Sequence, residues 1–102
     1  INFVSKELEL NPASMKEIAS ILRSKTKLVV VLAVKSNNKA LISLMISDDL
    51  VSQGYNSSDF INNIAKEISG SGGGQPYYST AGGSNVNGIP KALLLSKELF
   101  SK

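Results

Sequence analysis

Glycine and lysine, rather than acids, bases or thiols, are the residues of this chain whose types and spacing could do chemistry. Six of its eight glycines lie in residues 70–83, within the segment SGSGGGQPYYSTAGGSN. Glycine concentrates where the main chain needs positive φ or where another group must approach it closely. Two clusters, Gly72-Gly73-Gly74 and Gly82-Gly83, bracket one short extended stretch. Two readings follow. The bare main chain holds a phosphate or ribose through its N–H groups, or the glycines let a strand cross close beneath a helix.

The remaining chemistry is narrowed by what is missing. The chain has no histidine and no cysteine. That excludes a Cys/His zinc set, a Ser-His-Asp or Cys-His nucleophile and a redox pair. Asp48 and Asp49 are adjacent, so their side chains diverge; they read as a solvated turn rather than a general acid–base pair. We therefore expect the chain itself to be non-catalytic and to hold no cofactor. Its charge is unevenly placed. Residues 1–47 carry +4 and residues 48–102 carry −1, and residues 18–47 hold no acid while containing Arg23, Lys25, Lys27, Lys35 and Lys39. A polyanionic partner explains that asymmetry; solvated strand and helix ends explain it too.

The elements that must position these residues come from apolar spacing. At 102 residues the chain is one domain with a single modest core. No apolar run is long enough to span a bilayer, so we expect no membrane partner. Because the chain begins at Ile1 and runs straight into strand-like sequence, we take it as a fragment of a longer chain. Residues 1–10 read as a first strand. Asn11 and Pro12 then open a helix whose Met15, Ile18, Ala19 and Leu22 share a face. Residues 28–34, LVVVLAV, read as a strand buried on both faces and paired as a hairpin with residues 40–47. Asn56, Ser57 and Ser58 can cap a helix carrying Phe60, Ile61, Ile64, Ala65 and Ile68 on one side, with Gly70 as its left-handed terminus. Residues 75–80 read as a short strand that points Tyr77 and Tyr78 to opposite faces. Asn87 then caps a last helix with Ala92, Leu95 and Leu99 inward. The expected fold is mixed α/β (α+β), a single sheet with helices packed on it, in the order β-α-β-β-α-β-α.

The glycines fit neither common phosphate motif. A P-loop needs Lys-Ser or Lys-Thr after its last glycine, and Gly74 is followed by Gln75-Pro76. A dinucleotide fingerprint needs strand, G-x-G-x-x-G, then helix, and position 75 is not glycine. What remains is a stretch with outward N–H groups leading towards the Asn87 helix start. Of Tyr77 and Tyr78, one reads as core while the other can stack on a base.

The run NNIAKEI at residues 62–68 followed by SGSGGGQPYYSTAGG resembles the glycine-rich signature of the DHHA1-type C-terminal domain of alanyl-tRNA synthetases. The similarity extends over LVVVLAV, KALISLMISDDLV and both flanking helices, so residues 1–102 read as one such domain. Gly72, Gly73, Gly74, Pro76, Ala81, Gly82 and Gly83 fall on the signature; Ser71 and Gln75 stand where many members carry lysine or arginine.

The resemblance implies a non-catalytic tRNA-binding module of a cytoplasmic enzyme. It would contact the elbow of tRNA(Ala) and support aminoacylation and editing by upstream domains of the same chain, with a homodimer possible in the parent protein. The parent would be the alanine–tRNA ligase, and ATP, Mg and Zn would belong to its upstream domains. The nucleic-acid-binding residues expected are Gly72, Gly73, Gly74, Gln75, Gly82, Gly83, Arg23, Lys25, Lys27 and Lys39. Two alternatives stand beside this one. One is the substrate-binding subdomain of a DHH-type phosphoesterase, whose members typically carry a histidine at the glycine triplet; the other is a protein-docking or dimerisation module.

Overall fold

The apolar run that follows Lys27 forms a strand with no wet side. In the computed structural model, which describes residues 2–7, 17, 18, 20, 21, 24–36 and 38–100, this strand is β2 (Leu28–Ser36). Val29, Val31 and Ala33 are fully buried on one face, and Val30, Leu32 and Val34 are at most 5% exposed on the other. It pairs parallel with β1 (Asn2–Glu7) and antiparallel with β3 (Lys39–Ile46). The β2–β3 hairpin closes on the pair Ser36 and Lys39, with Asn38 in the left-handed region at φ 63°. Asparagine tolerates that region because its short polar side chain compensates locally.

The sheet has five strands in the order β1-β2-β3-β5-β4. Its last two are β4 (Gly70–Gln75) and β5 (Tyr78–Gly83), antiparallel to each other. On the inner face lie α1 (Asp48–Ser52), α2 (Ser57–Ala65) and α3 (Ile89–Phe100). Leu50, Ile61, Ile64, Ile68, Ile89, Ala92 and Phe100 meet Val29, Val31, Ile42, Leu44 and Ile46 there. Each fully buried Ile or Leu contributes about 1.5–3 kcal/mol to holding helices on the sheet. Asn56 caps α2, its side-chain oxygen accepting from the Ser58 N–H at 3.0 Å. On the outer face Val30, Leu32, Val34 and Met45 form a second, smaller cluster, joined by Ile18, Leu28, Leu41 and Tyr78. Glu17, Ile18, Ser20 and Ile21 are helical, as the spacing predicts; Met15, Ala19, Leu22 and the Asn11-Pro12 start lie outside the described residues.

The mixed α/β sheet with helices on it is as expected, with several differences in detail. The Asp48-Asp49 turn is a short helix, α1. The glycine triplet is itself a strand, so residues 75–80 are not one strand but the end of β4, a turn at Pro76 and Tyr77, and the start of β5. Proline presets the φ that the first position of such a turn needs. Tyr77 and Tyr78 therefore do not share a strand: Tyr77 is in the turn and Tyr78 opens β5. The left-handed residue after α2 and its 3-10 extension (Lys66–Ile68) is Ser69, at φ 54°, not Gly70. Gly70 is spared for another reason: a Cβ there would overlap the Gly82 carbonyl. Asn87 caps nothing, because it sits inside a 3-10 turn (Val86–Gly88) that precedes α3. Finally, α3 turns Ile89, Ala92, Ser96 and Phe100 inward; Leu99 is half-buried against the core and Leu95 is only half-buried. The inward residues Ile89, Ala92, Ser96 and Phe100 recur at spacings of three and four, the helical period that keeps one face on the core.

Candidate nucleic-acid interface

Register sorts the glycine segment into two faces. The pairs Gly70–Gly83, Gly72–Ala81 and Gly74–Ser79 alternate with Ser71–Gly82, Gly73–Thr80 and Gln75–Tyr78. Ala81 belongs to the inner core and Tyr78 to the outer cluster, so the first set faces the helices and the second faces outward. On the inner side a Cβ at Gly72 would overlap the Thr80 carbonyl, one at Gly74 the Tyr78 carbonyl, and one at Gly83 the Ile68 carbonyl. These glycines are architectural: they let β4 and β5 coil tightly together beneath α2. Outward, a Cβ at Gly73 or Gly82 would meet nothing within 4 Å. Packing does not demand glycine at either position.

The result is a nearly bare patch on the outer face of β4 and β5. Ser71, Gly73, Gln75 and Gly82 are exposed, and Thr80 and Tyr78 are half-buried. Towards the turn it sinks into an open depression of about 290 Å³ lined by Gly73, Gly74, Gln75, Tyr77, Tyr78 and Thr80.

Hydrogen bonds hold this patch to the helix behind it. The Ser57 hydroxyl donates to the Gln75 carbonyl at 2.6 Å and lies 2.6 Å from the buried Ser79 hydroxyl, while the Ser57 N–H donates to the Pro76 carbonyl at 2.8 Å. The first turn of α2 thus fixes the hairpin's tip. Asn62, one helical turn further along, accepts from the Gly72 N–H at 3.3 Å. The base of the hairpin is tied through Asn85, whose N–H donates to the Ile68 carbonyl at 3.0 Å.

The expected cations divide around the patch. Lys39 is exposed, two residues before Leu41 on the outward side of β3, and Leu41 pairs with Gly82; it therefore flanks the Gly82 end. Lys25 and Lys27 are exposed in the loop before β2, at the opposite end of the strands. About 23 Å of strand, at ~3.3 Å per residue, separates the two ends. That lysine loop shares its end of the sheet with the hairpin turn: Ser47 N–H bonds the Leu28 carbonyl and Ile46 N–H bonds the Tyr77 carbonyl. Arg23 lies outside the described residues. Sequence reasoning put Gly73, Gly82 and Gln75 in the site and offered one of Tyr77 and Tyr78 for base stacking, but it omitted Ser71 and Thr80. The signal that finds them is a period of two applied on both sides of a turn at Pro76 and Tyr77.

Asp49 joins the lysine loop to the sheet. Its carboxylate accepts from the Lys27 N–H at 2.8 and 3.1 Å and from the Ser47 hydroxyl. The Ser47 hydroxyl, aided by the Lys27 and Leu50 N–H groups, holds the Asp49 carboxyl below the ordinary carboxylate value.

The chain is 43% identical over 98% of its length to the alanine–tRNA ligase of Cytophaga hutchinsonii, and 38% identical over 96% to that of Parabacteroides distasonis. It spans only 12% and 11% of those two proteins. Among solved structures, the C-Ala domain from Aquifex aeolicus alanyl-tRNA synthetase superposes with a TM-score of 0.87 at 27% identity, covering 98% of this chain and 91% of that one. Its homologues are thus the C-terminal domains of alanyl-tRNA synthetases. Among the described residues no helix is long and apolar enough to cross a membrane. The DHHA1 domain profile matches residues 1–102, and the chain belongs to the DHHA1 domain family.

Proposed function

We propose that this chain is a non-catalytic tRNA-docking module of an alanine–tRNA ligase, and that the outer face of β4 and β5 is its docking surface. The observation that carries this reading is the pair Gly73 and Gly82, bare where packing does not require bareness. A strip of bare main chain lets a ribose edge or the face of a base pair approach closely. Such contacts read RNA shape and backbone rather than sequence. Tyr77 and Tyr78 give the strip an aromatic rim at one end, and Lys39 gives it a cation at the other. On this reading tRNA(Ala) is the partner, upstream domains of the same chain do the ATP- and Mg-dependent ligation and the Zn-dependent editing, and this module holds the tRNA for both in the cytoplasm.

Few cations border the strip, so binding by this chain alone is weak and moderately salt-dependent. Anisotropy titration of a labelled tRNA(Ala) transcript between 50 and 200 mM salt tests this; we expect log K to fall against log[salt] with a slope of roughly −2 to −3, as for two to four phosphate contacts. Absence of binding at low salt rejects the docking module. Binding indifferent to salt rejects the electrostatic part.

A further inference from the structure

Three described non-glycine residues sit in the left-handed region: Lys27 at φ 50°, Asn38 at φ 63° and Ser69 at φ 54°. Asn38 turns a hairpin and Ser69 ends a helix, and both are short residues that serve those places commonly. Lys27 is the exception, since a long side chain has no local compensation for this strain. Its main chain is held from both sides. The N–H is bound by both carboxylate oxygens of Asp49, and the carbonyl accepts from the Asn2 N–H at 2.7 Å. The clamp is braced in turn: the Ser47 hydroxyl donates to Asp49 and accepts from the Leu28 N–H at 3.0 Å. Glycine or asparagine would make the same turn with less strain. Strain that the surrounding structure enforces commonly marks functional positions, and here it lies beneath an exposed cation.

We infer that Lys27 is a pre-positioned phosphate contact for RNA and that Asp49 is its positioning residue. This rests on the docking function proposed above and adds a second anchor, at the end of the sheet remote from Lys39. An acidic residue would then strengthen the binding of a polyanion, because holding the main chain that carries the ammonium in one conformation outweighs the repulsion of a carboxylate that already accepts from the Lys27 N–H and the Ser47 hydroxyl. A clamp that merely shapes the turn predicts the reverse: replacing Asp49 by a neutral residue removes a negative charge and should tighten RNA binding.

The test uses the whole 102-residue chain, a tRNA(Ala) transcript and four proteins: wild type, Lys27→Gly, Asp49→Asn and the double variant. Lys27→Gly suits the left-handed backbone, so its melting temperature should stay within a few degrees of wild type. Its affinity should fall about five- to tenfold at low salt, and its salt slope should shrink by about one, the loss of a single phosphate contact. Asp49→Asn should weaken binding about threefold despite its added net positive charge, and should do nothing further once Lys27 is glycine. If wild type binds while Lys27→Gly keeps its affinity and slope, the anchor is overturned and the docking function stands. If Asp49→Asn binds more tightly, or its effect persists in the double variant, the positioning role is overturned. If wild type does not bind tRNA, both fail together.

Discussion

The two halves of the sheet are made of opposite materials. In β2 and β3 the strands are side chains: Val29, Val30, Val31, Leu32, Ile42 and Leu44 interlock on both faces and leave almost no main chain to touch. In β4 and β5 the strands are main chain, packed on one face only because side chains are missing. The first half is stabilised by apolar area removed from water. The second is held by ladder hydrogen bonds, by the Ser57 and Asn85 ties and by close approach. The contrast teaches that glycine here has two meanings one residue apart. Gly72 is glycine because something is against it, and Gly73 although nothing is.

That contrast can be broken at several points. The greatest loss should come from Gly88→Ala, since Gly88 is buried and its Cβ would overlap the main-chain carbonyl of Glu67. Gly72→Val should follow closely, its branches driven into Thr80 and Ala81 on β5. Each should cost about 3 kcal/mol, seen as a fall in melting temperature of the order of 10–20 °C; unchanged unfolding of Gly72→Val would mean that β4 and β5 are not tightly crossed, and of Gly88→Ala that the turn before α3 is not pressed against Glu67. Gly73→Val sharpens the comparison in the opposite sense. Its stability should stay within about 0.5 kcal/mol of wild type, while tRNA affinity falls at least about tenfold, the equivalent of 1.4 kcal/mol. Retained affinity would show that the outward face is not a contact surface. The smallest effect belongs to Asp49. Because its carboxyl lies below its ordinary value when folded, it adds stability above the unfolded value near 3.8 and loses it as pH falls through the lower folded value. Acid titration of thermal stability should therefore show a shallow decline below that point, absent in Asp49→Asn. The group is solvent-exposed, so the difference will be slight; an identical acid limb in both proteins would deny that the folded carboxyl is held low.

How much of this could be read from the sequence follows the same division. The β2–β3 hairpin was legible from LVVVLAV, and the Asn56 cap from residue type and spacing, because both obey local rules. The β4 strand was not. Glycine has poor strand propensity, and its partner register depends on a turn that only pairing reveals. Propensity places Gly70 at a helix terminus, whereas its constraint comes from the Gly82 carbonyl across the ladder. The lysines are visible in the sequence as a basic stretch, but linear proximity hides that Lys39 and Lys27 stand at opposite ends of the strands. Asp49 gave no warning at all, since a carboxylate that clamps a main-chain N–H 22 residues away leaves no pattern in the chain.

The rim of the sheet formed by β4 has one more consequence. Its residues, GSGGGQ, carry no charge, so this border lacks the lysines and prolines that commonly deter edge-to-edge pairing. Asn62 supplies the deterrent instead, occupying the middle amide at Gly72 from the helix behind. Alanine at 62 would free that amide to recruit a carbonyl from a neighbouring molecule.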